Sequence, residues 1–234
     1  DGNDHLSGGT GDDTLWGGGG IDRLAGDDGA DVVHGGEGSD HTSGGPDFDV
    51  CISGSRDGCE DGALGHNDSG PAVSQLQALL KSKALYRGPI DGEYGREVAS
   101  AVVAFHKVLD LPRVETWEAE DWERLVGFTP LPPKDRPGEP DRIEVDIGHQ
   151  VVYLILGGEV IAIAPTSTGS GGTYVSSTGG TGWSYTPRGD FTLFRFRPGW
   201  IYTRLGGIYN TWNFTASFAV HGYPRVPTYP ASHG

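Results

Sequence analysis

Two His-Gly pairs lie near the end of the chain, His221-Gly222 and His233-Gly234, the second preceded by Ser232. An imidazole beside main chain that carries no Cβ suits acyl transfer. The ring takes a proton from a nucleophile, and open N–H groups hold the oxyanion. The nucleophile itself is not declared. Ser232 is available, but it sits in PASHG, which is not the strained Gly-x-Ser-x-Gly elbow. The only cysteines, Cys51 and Cys59, belong to a different part of the chain. A zinc ion on His221 and His233 would need a third ligand, and nothing is spaced to supply one. Toward the other end, Asp4, Asp13, Asp22, Asp31, Asp40 and Asp49 recur every nine residues. A ladder of carboxylates offers hard oxygen donors, which suit a hard cation.

The elements that must position these residues differ along the chain. With 234 residues there is room for one to three domains. The formal charge is 17 − 32 = −15 and is concentrated at one end: residues 1–70 hold 16 acids against Arg23 and Arg56, and 20 of the 40 glycines. This acidity argues for cations and against nucleic acid, which needs clustered Lys and Arg. No apolar run approaches the roughly 18 residues that span a bilayer, and no signal peptide is present. The chain has no methionine, opens in mid-repeat at DGND and closes on SHG. Both ends are therefore expected to be cut, and the missing leader is uninformative.

The acidic segment, residues 1–62, follows G-G-x-G-x-D-x-U-x, with Leu6, Leu15, Leu24, Val33, Thr42 and Cys51 at the apolar position U. This pattern resembles the calcium-binding nonapeptide (RTX, hemolysin-type) repeat. Glycines permit the tight loop that turns carbonyls toward one ion, and the six periodic aspartates add a carboxylate each. The expected fold is a parallel β-roll with structural Ca2+ between loops two units apart. At about 1 mM calcium, a site of about 0.1 mM affinity adds about 1.4 kcal/mol. Several such sites exceed what the thin core supplies, so the segment should unfold in chelator; a disordered acidic linker is the competing reading. Cys51 holds a U position and Cys59 follows in a shortened unit, so a disulfide between them would staple the last turn by about 2–3 kcal/mol. Two free thiols in a reducing compartment is the alternative.

From residue 70 the period becomes helical. Pro71 opens a run with Val73, Leu76, Leu79 and Leu80; a turn cluster covers 88–95; Val98, Ala101, Val102, Phe105 and Val108 give a second run; Trp117, Trp122 and Leu125 mark a third. VSQLQALL, IDGEYG and AVVAFHKVLDLP resemble the peptidoglycan-binding domain, with His106 where the family usually has Gln. The resemblance covers 70–127 and implies wall targeting; a spacer that binds nothing is the other reading. Residues 128–141, rich in proline, read as a stiff linker.

Residues 142–234 turn to period two. RIEVDI, QVVYLIL and EVIAIAP read as strands, the last two joined by a Gly157-Gly158 turn; SGSGGTYVSSTGGTGWS reads as a loop; GDFTLFRFRP and ASFAVH read as further strands. VDIGHQVVYLILGGEVIAIAPTSTGSGG, TPRGDFTLFRFRPGW, LGGIYNTWNF and FAVHGYPRVPTYPASHG resemble the L,D-transpeptidase (YkuD-like) catalytic domain. That family's signature runs His-Gly, a spacer, then Ser-His-Gly-Cys, so the nucleophilic cysteine is expected just after Gly234 and the domain is expected to be C-terminally truncated. The resemblance implies that His221 is the base and that Gly222 orients it. It implies that Ser232, His233 and Gly234 shape the nucleophile loop and oxyanion hole. Tyr209, Trp212 and Arg225 are guessed to line the substrate groove, although packing suits each of them as well.

The expected whole is a multidomain α+β protein: calcium roll, three-helix wall-binding module, linker, β-rich catalytic domain. Its expected function is that of a secreted or cell-envelope enzyme forming 3→3 peptidoglycan cross-links through a cysteine thioester, with no cofactor for catalysis. Its partners are peptidoglycan stem peptides and glycan, with no nucleic acid and no membrane span. A non-catalytic, calcium-stabilised wall-binding or surface protein is the alternative.

Overall fold

The computed structural model describes residues 2–46, 49–52, 55–57, 62–130, 140–175, 179–203, 206–222 and 226–227. The chain divides into two compact units, Asp1–Glu144 with Tyr153–Ala164, and Val145–Val152 with Pro165–Gly234.

The first unit begins with seven short strands: β1 (His5–Thr10), β2 (Thr14–Gly20), β3 (Arg23–Asp28), β4 (Val32–Gly38), β5 (His41–Ser43), β6 (Val50–Ile52) and β7 (Ser55–Asp57). They sort by parity into two parallel sheets, β1-β3-β5-β7 and β2-β4-β6. His5 pairs with Arg23, Arg23 with His41, Thr14 with Val32 and Val32 with Val50, so the pairing steps 18 residues, two nonapeptides. The period-nine pattern therefore sends alternate units to alternate sheets. Leu24, Val33 and Cys51 are buried together with Leu6 and Leu15 packed on them. One apolar side chain per nonapeptide is a thin core, so hydrophobic burial alone gives this segment little stability.

Three helices follow: α1 (Pro71–Ser82), α2 (Arg96–Val108) and α3 (Ala119–Gly127). Pro71 occupies the first turn of α1, where its missing N–H costs nothing. The third helix starts later than the tryptophan spacing predicts. Trp117 lies before it and exchanges two main-chain hydrogen bonds with Leu64, which ties the segment after the repeats to the helices. Phe105, Trp117, Trp122 and Phe128 form the aromatic core, with ring centroids 5.3 Å apart for Phe105–Trp117 and 5.6 Å for Trp117–Trp122. All four are buried.

Strands β8 (Arg142–Asp146), β9 (Val151–Leu156) and β10 (Glu159–Pro165) form one sheet in the order β10-β9-β8. Gly157 and Gly158, at φ 60° and 88°, make the two-residue turn that the sequence predicts. Ile163 N–H donates to Ala84 O at 2.7 Å, joining β10 to the loop after α1.

The second unit holds β11 (Thr173–Val175), β12 (Thr181–Trp183), β13 (Arg195–Thr203), β14 (Gly206–Asn213) and β15 (Ala219–Gly222). β11 and β12 pair antiparallel inside the stretch expected to be loop, because Tyr174, Val175 and Trp183 are strand formers set between glycines. The strand expected over 189–198 instead begins at Arg195 and runs to Thr203, taking Pro198 at an irregularity between Arg197 and Trp200. No helix among the described residues is long and apolar enough to cross a membrane.

Candidate functional site

His221 lies on β15, an edge strand of the sheet β13-β14-β15. Trp212 pairs with Val220 and Tyr209 with Gly222, and the register shifts between those two pairs, beside His221. The imidazole Nδ1 is 3.1 Å from Gly222 O. A carbonyl only accepts, so Nδ1 carries the proton and donates it, leaving Nε2 as the basic nitrogen. With Nδ1 turned to the glycine's own carbonyl, Nε2 is the nitrogen left for another group.

The register separates the other groove residues from this ring. Successive strand residues point to opposite faces, so Trp212, opposite Val220, lies on the face away from His221. Tyr209 lies there too, since a Cβ built on Gly222 would approach its Cβ at 3.6 Å. Phe196 stacks on Trp212 at 4.6 Å and Trp200 packs on Tyr209 at 5.4 Å, making an aromatic face. Thr211 and Asn213 flank Trp212 and share the face of His221. Both are buried, and Thr211 Oγ1 and Asn213 Oδ1 make no hydrogen bond among the described residues. Sequence reasoning passed over these two; the alternation in Thr-Trp-Asn was the available signal. Arg225, Ser232, His233 and Gly234 lie outside the described residues.

The repeat aspartates are built into the sheets. Asp22 Oδ1 accepts from Asp4 N at 2.8 Å, Asp31 Oδ1 from Asp13 N at 2.8 Å, and Asp40 Oδ1 from Asp22 N at 3.0 Å. Asp49 Oδ1 accepts from Asp31 N at 2.9 Å. Each carboxylate spends one oxygen on the turn before it. The second oxygen of Asp13, Asp22, Asp31 and Asp40 is buried and has no hydrogen-bond partner among the described residues. Such an arrangement is costly unless something else satisfies it. Main-chain oxygens converge on the same points. A Cβ on Gly17 would sit 2.5 Å from both Asp22 Oδ2 and Gly35 O, and one on Gly8 would sit 2.6 Å from Gly26 O and 2.8 Å from Asp13 Oδ2. Burial, and then the charges of Asp13, Asp12 and Asp27, push the Asp31 carboxyl up against the lowering effect of the Asp13 amide. Carboxylate and carbonyl oxygens meeting where only glycine leaves room is a donor set for a hard divalent cation. Among the described residues no three acidic, His or Cys side chains converge. Cys51 is disulfide-bonded; Cys59 lies outside the described residues, as does Asp1.

In the helical module Gln77 is fully buried and holds the Asp91-Gly92 turn from both sides. Its Oε1 accepts from Asp91 N at 3.0 Å and Gly92 N at 2.9 Å, and its Nε2 donates to Asp91 Oδ1 at 2.7 Å. These bonds explain the joint occurrence of Leu-Gln and Asp-Gly in the sequence.

Compared with solved structures, the chain is similar to the L,D-transpeptidase of Xylanimonas cellulosilytica, with 33% identity over 73% of this chain and 83% of that one, at a TM-score of 0.66. The chain belongs to the L,D-transpeptidase family. A second L,D-transpeptidase, from Stackebrandtia nassauensis, is similar at 18% identity over 69% of this chain and 77% of that one, with a TM-score of 0.35. Residues 69–114 of this family member match the putative peptidoglycan binding domain, and residues 1–20 and 16–51 match the RTX calcium-binding nonapeptide repeat. Among curated proteins no match is found. This L,D-transpeptidase relative therefore joins a calcium-repeat segment and a wall-binding module to a cell-wall enzyme fold.

Proposed function

We propose that the chain is the roll, anchor and base-bearing part of an enzyme that forms 3→3 cross-links in peptidoglycan at the cell envelope. The thiol is the cysteine that the family signature sets after Ser232-His233-Gly234, since Cys51 is engaged in a disulfide. His221 Nε2 takes the thiol proton. The thiolate attacks the carbonyl at the L-centre of the stem's diamino acid, the bond to D-alanine breaks, and D-alanine leaves as the amine with a proton returned to it. A neighbouring stem's amine then attacks the thioester, forms the amide and releases the thiol. A thiol of ordinary pKa is a few per cent ionised at neutral pH, and a neutral imidazole beside it raises that share. The observation that carries this reading is the similarity to a solved L,D-transpeptidase, with His221 at the end of the last strand and its Nδ1 3.1 Å from Gly222 O.

The repeat segment would be loaded with structural calcium, held by Asp13, Asp22, Asp31, Asp40 and Asp49 with the glycine carbonyls, and the 69–114 module would hold the wall. Asp4 completes the ladder at its start.

The test is a chain extended through the expected cysteine, given a carbapenem and followed by mass spectrometry. The expected result is one covalent adduct on that thiol, slowed about 10²–10⁴-fold in His221→Ala. A folded, extended chain that forms no adduct would favour the non-catalytic wall-binding protein. Calcium is tested separately by circular dichroism: chelator should abolish the β signal of residues 1–57, and an unchanged spectrum refutes the cation role.

A further inference from the structure

The repeat segment and the helical module belong to one compact unit and meet, among the described residues, through specific side-chain contacts. Gln75 of α1 is buried, and its Nε2 donates to Ala30 O at 2.6 Å. Ala30 immediately precedes Asp31, a cradle carboxylate, and its own N–H donates to Asp12 Oδ1 at 3.1 Å. Trp122 of α3 donates from Nε1 to Gly62 O at 2.7 Å. Gly62 is at φ +72°, and a Cβ there would meet both Trp122 Nε1 and Val50 Cγ1, so indole and β6 close on a residue that only glycine fits. His34, buried in β4, stacks on Trp16 at 4.1 Å and presents Nε2 3.4 Å from Glu123 Oε2 of α3.

These contacts bind the wall module to the part of the chain least able to fold by itself. Resting on the reading that the cradles bind a divalent cation, we propose that cation loading of the repeats is thermodynamically linked to the helical module through the Gln75–Ala30 and Trp122–Gly62 hydrogen bonds. The peptidoglycan-binding module is then fully ordered only where calcium is available. An occupied cradle fixes Asp31 and with it the Ala30 carbonyl that Gln75 needs. Emptied cradles leave buried carboxylate oxygens against main-chain carbonyls, the turn opens, and α1 and α3 lose their ledge. Linkage is reciprocal: residues in the helices that touch no cradle atom must raise the cation affinity.

The experiment is amide hydrogen exchange on the 234-residue chain with calcium and with chelator, beside a calcium titration. We expect chelation to speed exchange in α1 and α3 as well as in β1–β6. Gln75→Met removes the donor while keeping the bulk, and should lower calcium affinity about fivefold and shrink the calcium effect on α1. Should that variant fail to fold, Trp122→Phe removes the Nε1 donor together with part of the ring, and the difference between its α3 exchange with calcium and with chelator reads the same linkage. Repeat amides that respond to calcium while α1 and α3 do not would overturn the linkage and leave the cation role standing. Repeat amides that do not respond would overturn both.

Discussion

His106 Nε2 stands 3.0 Å from Asp121 Oδ2, with both side chains almost wholly closed to water. The same carboxylate accepts from Glu118 N and from Arg124 Nη1, while His106 Nδ1 faces Val114 O. One aspartate thus caps α3, pairs with α2 and anchors Arg124. Burial alone would push its carboxyl up. The bonds from His106, Glu118 N and Arg124 outweigh this and hold it below the usual range. Asp121→Ala should destabilise the module by about 3–5 kcal/mol, since it strands a buried imidazole. His106→Gln should cost only about 1 kcal/mol, because an amide can still reach the carboxylate. Thermal melts followed by tryptophan fluorescence separate the two. The depressed carboxyl gives a sign as well: its stabilisation is present above the unfolded value of 3.8 and fades as pH falls through the folded one. Asp121→Asn should flatten that acid limb.

Lys107 predicts a pH effect of the same sense in an alkaline window. It is fully buried in α2, and burial, then Arg113, lower its ammonium to about 8 from 10.5. Between those values the unfolded chain binds more protons, so stability should rise with pH from about 8 to about 10.5. Lys107→Met should remove that rise and melt higher at neutral pH. A wild-type melting temperature flat across the window would refute the burial argument.

Gly17→Ala places a methyl group where Asp22 Oδ2 and Gly35 O converge. Calorimetry should then find one calcium ion fewer, and the repeat should melt at a higher calcium concentration than wild type. An unchanged ion count would mean that the oxygens meet for another reason.

Gln77→Ala should release the Asp91-Gly92 turn. Both amides should exchange far faster, and the module should lose about 2–3 kcal/mol for the buried groups left unpaired. Asp91, whose carboxyl is lowered first by Gln77 and then by Glu93 N, should titrate closer to its ordinary value in NMR.

The repeat was the most legible part of the sequence. Nine-residue phase dictates an 18-residue register once alternate units go to alternate sheets, and His5 opposite Arg23 follows from it. The first two helices were legible because Leu76, Leu80, Val102 and Phe105 repeat at helical spacing. Trp117 misled, because an aromatic next to a helix start packs with the helix without belonging to it. Strands β11 and β12 hid among glycines, being three residues each. At the site, His221 and Gly222 were readable as a pair, but the side of the sheet was not. A register shift between Tyr209 and Trp212 cannot be read from residue types, and it decides that the aromatics face away from the imidazole.

The pairing of β5 with β7 joins His41 to Ser55, a step of 14 residues where the earlier turns step 18. A coil whose final lap is four residues short offers no matching ledge to a further lap. Nonapeptides spliced in ahead of residue 41 would lengthen the spring in register, whereas any added behind residue 57 would start from the shifted register. The cropped lap ends the 18-residue register at the last described strand of that sheet.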